Sequence, residues 1–75
     1  MKYIIIEIQE MEVPILFPEF VQHESIWNRM DRPKVVSAGF CTSTFDCYGE
    51  SISLCIKSRK DDSLIIKNFM RDFHI

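Results

Sequence analysis

The sequence predicts an α+β fold in the order ββαββα, with a four-stranded, mainly antiparallel sheet and two helices on one face. Three patterns predict it: a β-branched amino-terminal segment, a central stretch over 35–57 in which apolar and small residues alternate, and helically spaced apolar residues near the carboxyl end. Seventy-five residues leave room for one domain, 1–75. A domain of this size buries roughly 60% of the surface of its unfolded chain, so we expect marginal stability.

The first 17 residues predict an antiparallel pair of strands. Lys2–Gln9 is rich in β-branched and aromatic residues, which is typical of strands. A polar turn over Glu10–Glu12 leads to a second strand, Val13–Phe17. Because Pro14 lacks an amide donor, we expect this strand at a sheet edge. Alternation places Ile4, Ile6 and Ile8 on the core face, and Tyr3, Ile5 and Glu7 on the other.

A helix is predicted between Glu19 and Met30, with a start that the sequence leaves uncertain by several residues. One helical face carries Phe20, His23, Trp27 and Met30. The helix is expected to end at Arg32-Pro33, since the residue before a proline is pushed out of helical geometry.

The stretch Val35–Lys57 predicts a β-hairpin centred on Tyr48. Its loop, Cys47-Tyr48-Gly49, fits a three-residue connection in which Gly49 takes the left-handed conformation. The cross-strand pairs in this register are Phe40 with Ile56, Cys41 with Cys55, Thr42 with Leu54, and Ser43 with Ser53.

This register gives the hairpin two different faces. The apolar face carries Val36, Ala38, Phe40, Ile52, Leu54 and Ile56. The opposite face, called here the small-residue face, carries Ser37, Gly39, Cys41, Ser43, Ser51, Ser53 and Cys55. We expect the small-residue face to be solvated or to bind a partner, framed by Tyr3, Ile5 and Tyr48 as contact residues. A glycine within a strand marks a bulge or a close backbone approach; for Gly39 we favour the bulge over a contact site.

The last element is a predicted helix over about Lys60–Phe73. Ser58 and Asp61 have the S-x-x-D spacing of a helix start, and Asp61 and Asp62 suit the positive end of the helix dipole. Ile65, Phe69 and Phe73 form one apolar ridge, with Ile66 and Met70 beside it.

Charge and hydropathy exclude several classes of function. Residues 1–24 hold one lysine against five glutamates, and residues 25–75 hold eight basic against six acidic residues. This distribution argues against direct nucleic-acid binding, which needs a basic face. No apolar run approaches the roughly 20 residues of a membrane span, so we expect a cytoplasmic protein. The carboxylates Glu7, Glu10 and Glu12 form an acidic edge that is either solvated or mimics phosphates, and the sequence leaves both readings open.

The cysteines and histidines do not form a recognisable reactive site. Cys41, Cys47 and Cys55 have the spacing C-x5-C-x7-C, which lacks the close pairs of a zinc site. Nothing in the sequence lowers the pKa of Cys47 as a nucleophile would need. His23 lies on an apolar helix face and His74 near the chain end. We therefore expect reduced thiols in a reducing compartment, no metal, no cofactor and no catalytic residue.

Two stretches carry a resemblance to known sequences: Val35–Phe40, and Cys47–Leu54 with its continuation through Lys57–Arg59. They resemble short uncharacterised proteins encoded by phages and prophage islands of proteobacteria. The resemblance implies a compact accessory protein of a mobile element that binds and blocks a host factor, as anti-CRISPR and other anti-defence inhibitors do.

We therefore expect a non-enzymatic protein-binding module that inhibits a host nucleic-acid-processing or defence complex. The alternative is a small homodimeric structural or regulatory protein that buries the small-residue face against its own copy. A thiol- or metal-dependent enzyme ranks third.

Overall fold

The computed structural model describes residues 1–72. The strands are β1 (Lys2–Ile8), β2 (Met11–Phe17), β3 (Lys34–Cys41), β4 (Cys47–Tyr48), β5 (Glu50–Ser51) and β6 (Ile56–Lys57), and the helices are α1 (His23–Arg29) and α2 (Asp62–Asp72). Phe73 and His74, which the sequence assigns to a helix ridge and to the chain end, lie outside the described residues.

Four strands form one antiparallel sheet in the order β2-β1-β3-β4, which confirms the predicted α+β class. Pro14 lies in the edge strand β2, as its missing amide predicts. The turn between β1 and β2 consists of Gln9 and Glu10, both with positive φ (50° and 66°), as in the tight turns that suit hairpin twist. The predicted turn at Glu10–Glu12 is therefore displaced, and β2 begins at Met11.

The predicted long hairpin is wrong in register. Strand β3 turns back much earlier than expected, so that Phe40 pairs with Tyr48 and Cys41 pairs with Cys47 rather than with Cys55. The reason lies in the turn over 42–46. The Thr42 hydroxyl accepts hydrogen bonds from the backbone N–H groups of Thr44 (3.3 Å) and Asp46 (3.1 Å), which draws the chain out of the strand.

The rest of the predicted fourth strand is not continuous. Gly49 does adopt a left-handed conformation (φ 77°), but it separates β4 from β5 instead of closing a hairpin loop. Strands β5 and β6 pair as a separate two-stranded sheet around a turn over 52–55. Ile52, Ser53 and Cys55 therefore lie in a turn, and the cross-strand pairs predicted for this segment do not form.

The two helices lie on opposite faces of the sheet, which corrects the prediction that both cover one face. Residues Tyr3 and Ile5 of β1 pack with Ile66 of α2. Their neighbours Ile4 and Ile6 face the other side, where one apolar cluster also includes Phe17, Ala38, Ile26 and Met30. Because successive strand residues alternate, the run of buried residues in β1 serves two cores.

Helix α1 is shorter than predicted at its start. It begins at His23, and Phe20 is 86% exposed instead of facing the core. The predicted end is confirmed, since the helix stops at Arg29 and the chain turns through Asp31 and Arg32, both with positive φ, before Pro33. Within residues 1–72, no helix is both long and apolar enough to cross a membrane.

Candidate functional site

The small-residue face does not form one exposed surface. Ser37 and Cys41 are fully buried, as are the expected framing residues Tyr3 and Ile5. Ser51 is also buried, whereas Ser43, Ser53 and Cys55 are exposed in separate turns and Tyr48 is half exposed. The face was expected to be open because the sequence does not show where α2 packs. Helix α2 covers the part that includes Tyr3, Ile5 and Cys41.

Gly39 marks a close approach of two backbones within the chain. A Cβ atom at this position would lie 2.5 Å from the carbonyl oxygen of Tyr48, closer than any real Cβ contact. The predicted bulge at Gly39 is wrong. The register of β3 shifts instead between Val35 and Ser37, which pair with Ile6 and Ile5 of β1. Only glycine lets β4 run this close to β3.

The strongest polar arrangement is centred on Asp62, the first residue of α2, which is fully buried. One carboxylate oxygen accepts hydrogen bonds from the Tyr3 hydroxyl (2.5 Å) and from the Arg59 backbone N–H (2.8 Å). The other accepts from the Ser37 hydroxyl (2.9 Å) and from Arg59 Nε (3.0 Å). The carboxylate thus links β1, β3 and the start of α2.

Arg59 extends this network to the sheet edge. Its two terminal nitrogens bind both carboxylate oxygens of Glu12, at 2.7 and 3.2 Å. The hydrogen bond from Arg59 lowers the pKa of Glu12, and the same bond raises the pKa of Arg59. Burial, followed by the hydrogen bond to Asp62, raises the pKa of Tyr3.

This network is structural in character. Each carboxylate oxygen of Asp62 accepts two hydrogen bonds from within the chain, so its lone pairs are used inside the protein rather than directed at a ligand. The predicted helix start with Ser58 and Asp61 is wrong. The carboxylate that accepts a backbone hydrogen bond before α2 is that of Asp62, from the Arg59 N–H, and the Ser58 hydroxyl donates instead to the carbonyl of Gly49 (2.8 Å). Residues 3 and 62 are too distant in sequence for spacing to reveal this contact.

The cysteines lie in three different settings. Cys41 is buried, Cys47 is half-buried and Cys55 is exposed, and all three are free thiols. Burial raises the pKa of Cys41 and of Cys47, which is the opposite of what a thiolate nucleophile needs. Within residues 1–72, no group of three or more His, Cys, Asp or Glu side chains is placed to hold a metal ion.

His23 is packed as part of the core. Its Nε2 lies 2.9 Å from the carbonyl oxygen of Gly39, and its ring meets those of Phe17 and Phe40 edge-on at 5.3 and 5.9 Å. Burial lowers the pKa of this imidazole. The residue therefore connects α1 to the sheet.

The acidic edge is largely neutralised by neighbouring cations. Glu7 lies 2.7 Å from Lys34 Nζ, and Glu12 binds Arg59. Glu10 is exposed in the first turn and forms no ion pair with any of residues 1–72. The three carboxylates therefore do not act together as a free anionic surface.

Open clefts lie on the side of the sheet that carries α1. Two open clefts, of about 370 and 330 Å³, lie on either side of the 52–55 turn and share Ser53 in their walls. The first is lined by Lys2, Gln22, His23, Phe40, Gly49, Glu50, Ile52 and Ser53, and the second by Trp27, Pro33, Lys34, Val35, Ser53, Leu54 and Ile56. We call the two clefts together the α1 groove.

The α1 groove combines exposed apolar side chains with a rigid wall. Ile52 is 84% exposed, although the sequence placed it in the core, because the 52–55 turn points it outward. Trp27 is held by a hydrogen bond from its indole N–H to the carbonyl of Pro33 (2.9 Å), and the Arg32 guanidinium lies 5.6 Å from the ring centroid. Of the groove residues, only Ser53 belongs to the set of interface residues expected from the sequence.

Comparison with protein-family models, with curated protein sequences and with solved structures gives no match to this chain.

Proposed function

We propose that this chain is a non-enzymatic protein-binding module and that the α1 groove is its contact surface. The observation that carries the proposal is the 84% exposure of Ile52 in the wall of the first cleft. A large apolar side chain in this position costs solvation in the free protein and provides an anchor in a complex.

The charges around the groove indicate the kind of partner. Lys2 lines the first cleft and Arg32 lies over Trp27, against the carboxylate of Glu50 among the lining residues. Lys34 in the second cleft is already paired with Glu7. This excess of positive charge favours an amphipathic segment of another protein, with apolar anchors and acidic flanks.

The finer assignment rests on the resemblance to phage and prophage proteins. It supports a host protein as the partner, and inhibition of a host nucleic-acid-processing or defence complex as the outcome. The raised pKa of Cys47 and the fully satisfied Asp62 network support binding over catalysis.

The test compares Ile52→Asp with Leu64→Asp. Both side chains are largely exposed, but Leu64 belongs to α2, on the other face of the sheet. We expect both variants to fold, and Ile52→Asp to weaken binding of a host protein, captured from a proteobacterial lysate and then purified, by at least about tenfold, or 1.4 kcal/mol.

Equal affinity of the two variants and the wild type would exclude the α1 groove. Light scattering over a range of concentrations tests the homodimer. A wild-type dimer that Ile52→Asp converts to a monomer would show that a second copy of the chain occupies the groove.

A further inference from the structure

The corrected hairpin register places two thiols opposite each other. Cys41 in β3 pairs with Cys47 in β4, so their side chains lie on the same face of the sheet. Both contact the apolar cluster beneath α2. Cys55 does not belong to this pair and lies exposed in the 52–55 turn.

The backbone hydrogen bonds show that this is a closely spaced pair. The N–H and C=O groups of Cys41 both bond to Met1, at 2.8 and 3.2 Å, on the β1 side. The N–H of Cys47 donates to the Ser63 hydroxyl at 2.8 Å. The two cysteines therefore exchange no backbone bond with each other, which makes them a non-hydrogen-bonded pair, the class whose Cα atoms typically lie about 4.5 Å apart.

We propose that Cys41 and Cys47 are a redox modification site that forms a reversible intramolecular disulfide by exchange with a small-molecule disulfide such as glutathione disulfide. A Cα separation of about 4.5 Å falls within the range of roughly 4.4–6.8 Å that disulfides span. The bond closes a ring around the 42–46 turn without needing the strands to separate.

The difference in burial sets the order of the two steps. Cys47 is half-buried and is therefore the thiol that glutathione disulfide reaches first, although burial raises its pKa and so keeps the thiolate fraction small and the exchange slow. The Cys47 thiolate attacks one sulfur of glutathione disulfide, whose S–S bond breaks and releases one glutathione. Cys41, which is 1% exposed, then attacks the Cys47 sulfur of the mixed disulfide and releases the second glutathione. Two protein thiols are oxidised and one glutathione disulfide is reduced to two glutathiones, which take up the two protons.

The sequence allows each possible pairing to be read directly. Asp46 lies between Cys41 and Cys47, and Glu50 lies between Cys47 and Cys55. Cleavage before Asp46 and after Glu50 thus places the three cysteines on three peptides. The native protein is incubated with glutathione disulfide, alkylated, digested without reduction and analysed by mass spectrometry.

We expect the wild type to yield the peptide pair Cys41–Cys47, and the exposed Cys55 to be recovered either as a free thiol or with glutathione attached. Cys55→Ser, an exposed substitution that keeps the pair, should give the same product. Cys41→Ala should instead retain glutathione on Cys47. In denaturant the Cys41–Cys47 and Cys47–Cys55 pairs should form in similar amounts, because the two loops are similar in length.

A native product that links Cys55 to either of the other cysteines would overturn the proposal. A stable glutathione adduct on Cys47 of the wild type, with Cys41 still reduced, would also overturn it, because the Cys41 sulfur would then be unable to reach the mixed disulfide on Cys47.

Discussion

Removing the Asp62 carboxylate should have the largest effect of any single polar substitution in this protein. In Asp62→Ala the hydroxyls of Tyr3 and Ser37 lose their acceptor while both residues remain fully buried. Each stranded hydroxyl costs about 1–3 kcal/mol. The lost acceptor for the Arg59 N–H at the start of α2 adds about 1 kcal/mol, as for a helix cap.

These contributions give a loss of about 5 kcal/mol, taking the middle of each range. At about 0.05–0.15 kcal/mol per residue, a chain of 75 residues has a free energy of unfolding of roughly 4–11 kcal/mol. Asp62→Ala should therefore be unfolded in a large fraction of molecules, or unfold at very low urea concentration.

Urea unfolding followed by the fluorescence of Trp27 and by circular dichroism measures this loss. Two variants provide the scale. Tyr3→Phe removes one donor and leaves Asp62 with three, so it should cost about 1.5–3 kcal/mol, the value of a hydrogen bond to a charged group. Asp61→Ala changes the exposed neighbouring carboxylate and should cost no more than about 0.5 kcal/mol. If Asp62→Ala were no less stable than Asp61→Ala, the assignment of this network as the link between α2 and the sheet would be wrong.

Three further predictions follow from the buried groups. Burial raises the pKa of Tyr3 above 10.0, so the unfolded chain loses this proton first as pH rises and the free energy of unfolding should fall above pH 10.0. In Tyr3→Phe the urea midpoint should fall less steeply with pH. Burial lowers the pKa of His23 below 6.5, so the unfolded chain binds this proton first as pH falls and the free energy of unfolding should decrease below pH 6.5. In His23→Gln the urea midpoint should change less between pH 7 and pH 5. Gly39→Ala should cost about 1–3 kcal/mol, since its Cβ would meet the carbonyl of Tyr48 and the backbone must shift; an unchanged thermal midpoint would contradict the close approach of β3 and β4.

Several parts of the fold are determined by local sequence. The β-branched run of β1 predicts a strand, Pro14 predicts an edge position, and Gly49 predicts a left-handed residue, and the structure has all three. Each depends on the conformational preference of one residue or one short segment, so no knowledge of distant contacts is needed. The helical spacing of apolar residues likewise predicts α2 to within about two residues at its start.

The predictions that are wrong concern which faces of the strands and helices pack against each other. Tyr3, Ile4, Ile5 and Ile6 are consecutive buried residues, and such a run is typical of a strand covered on both faces. Simple alternation assigns Ile4 and Ile6 to a single core face, and so it does not predict that α2 covers Tyr3 and Ile5 on the other face. The small-residue face appeared open for the same reason.

The contacts that define the candidate sites were decided only by tertiary structure. The pairing of Cys41 with Cys47 depends on the hydroxyl of Thr42 ending β3, a side-chain hydrogen bond that competes with a longer hairpin. The Asp62 network joins residues 59 positions apart. Local sequence determines which segments become strands and helices, because those preferences act within a few residues; which side chains become buried, paired or exposed depends on how the segments pack, and a short polar turn or one buried carboxylate can change that outcome.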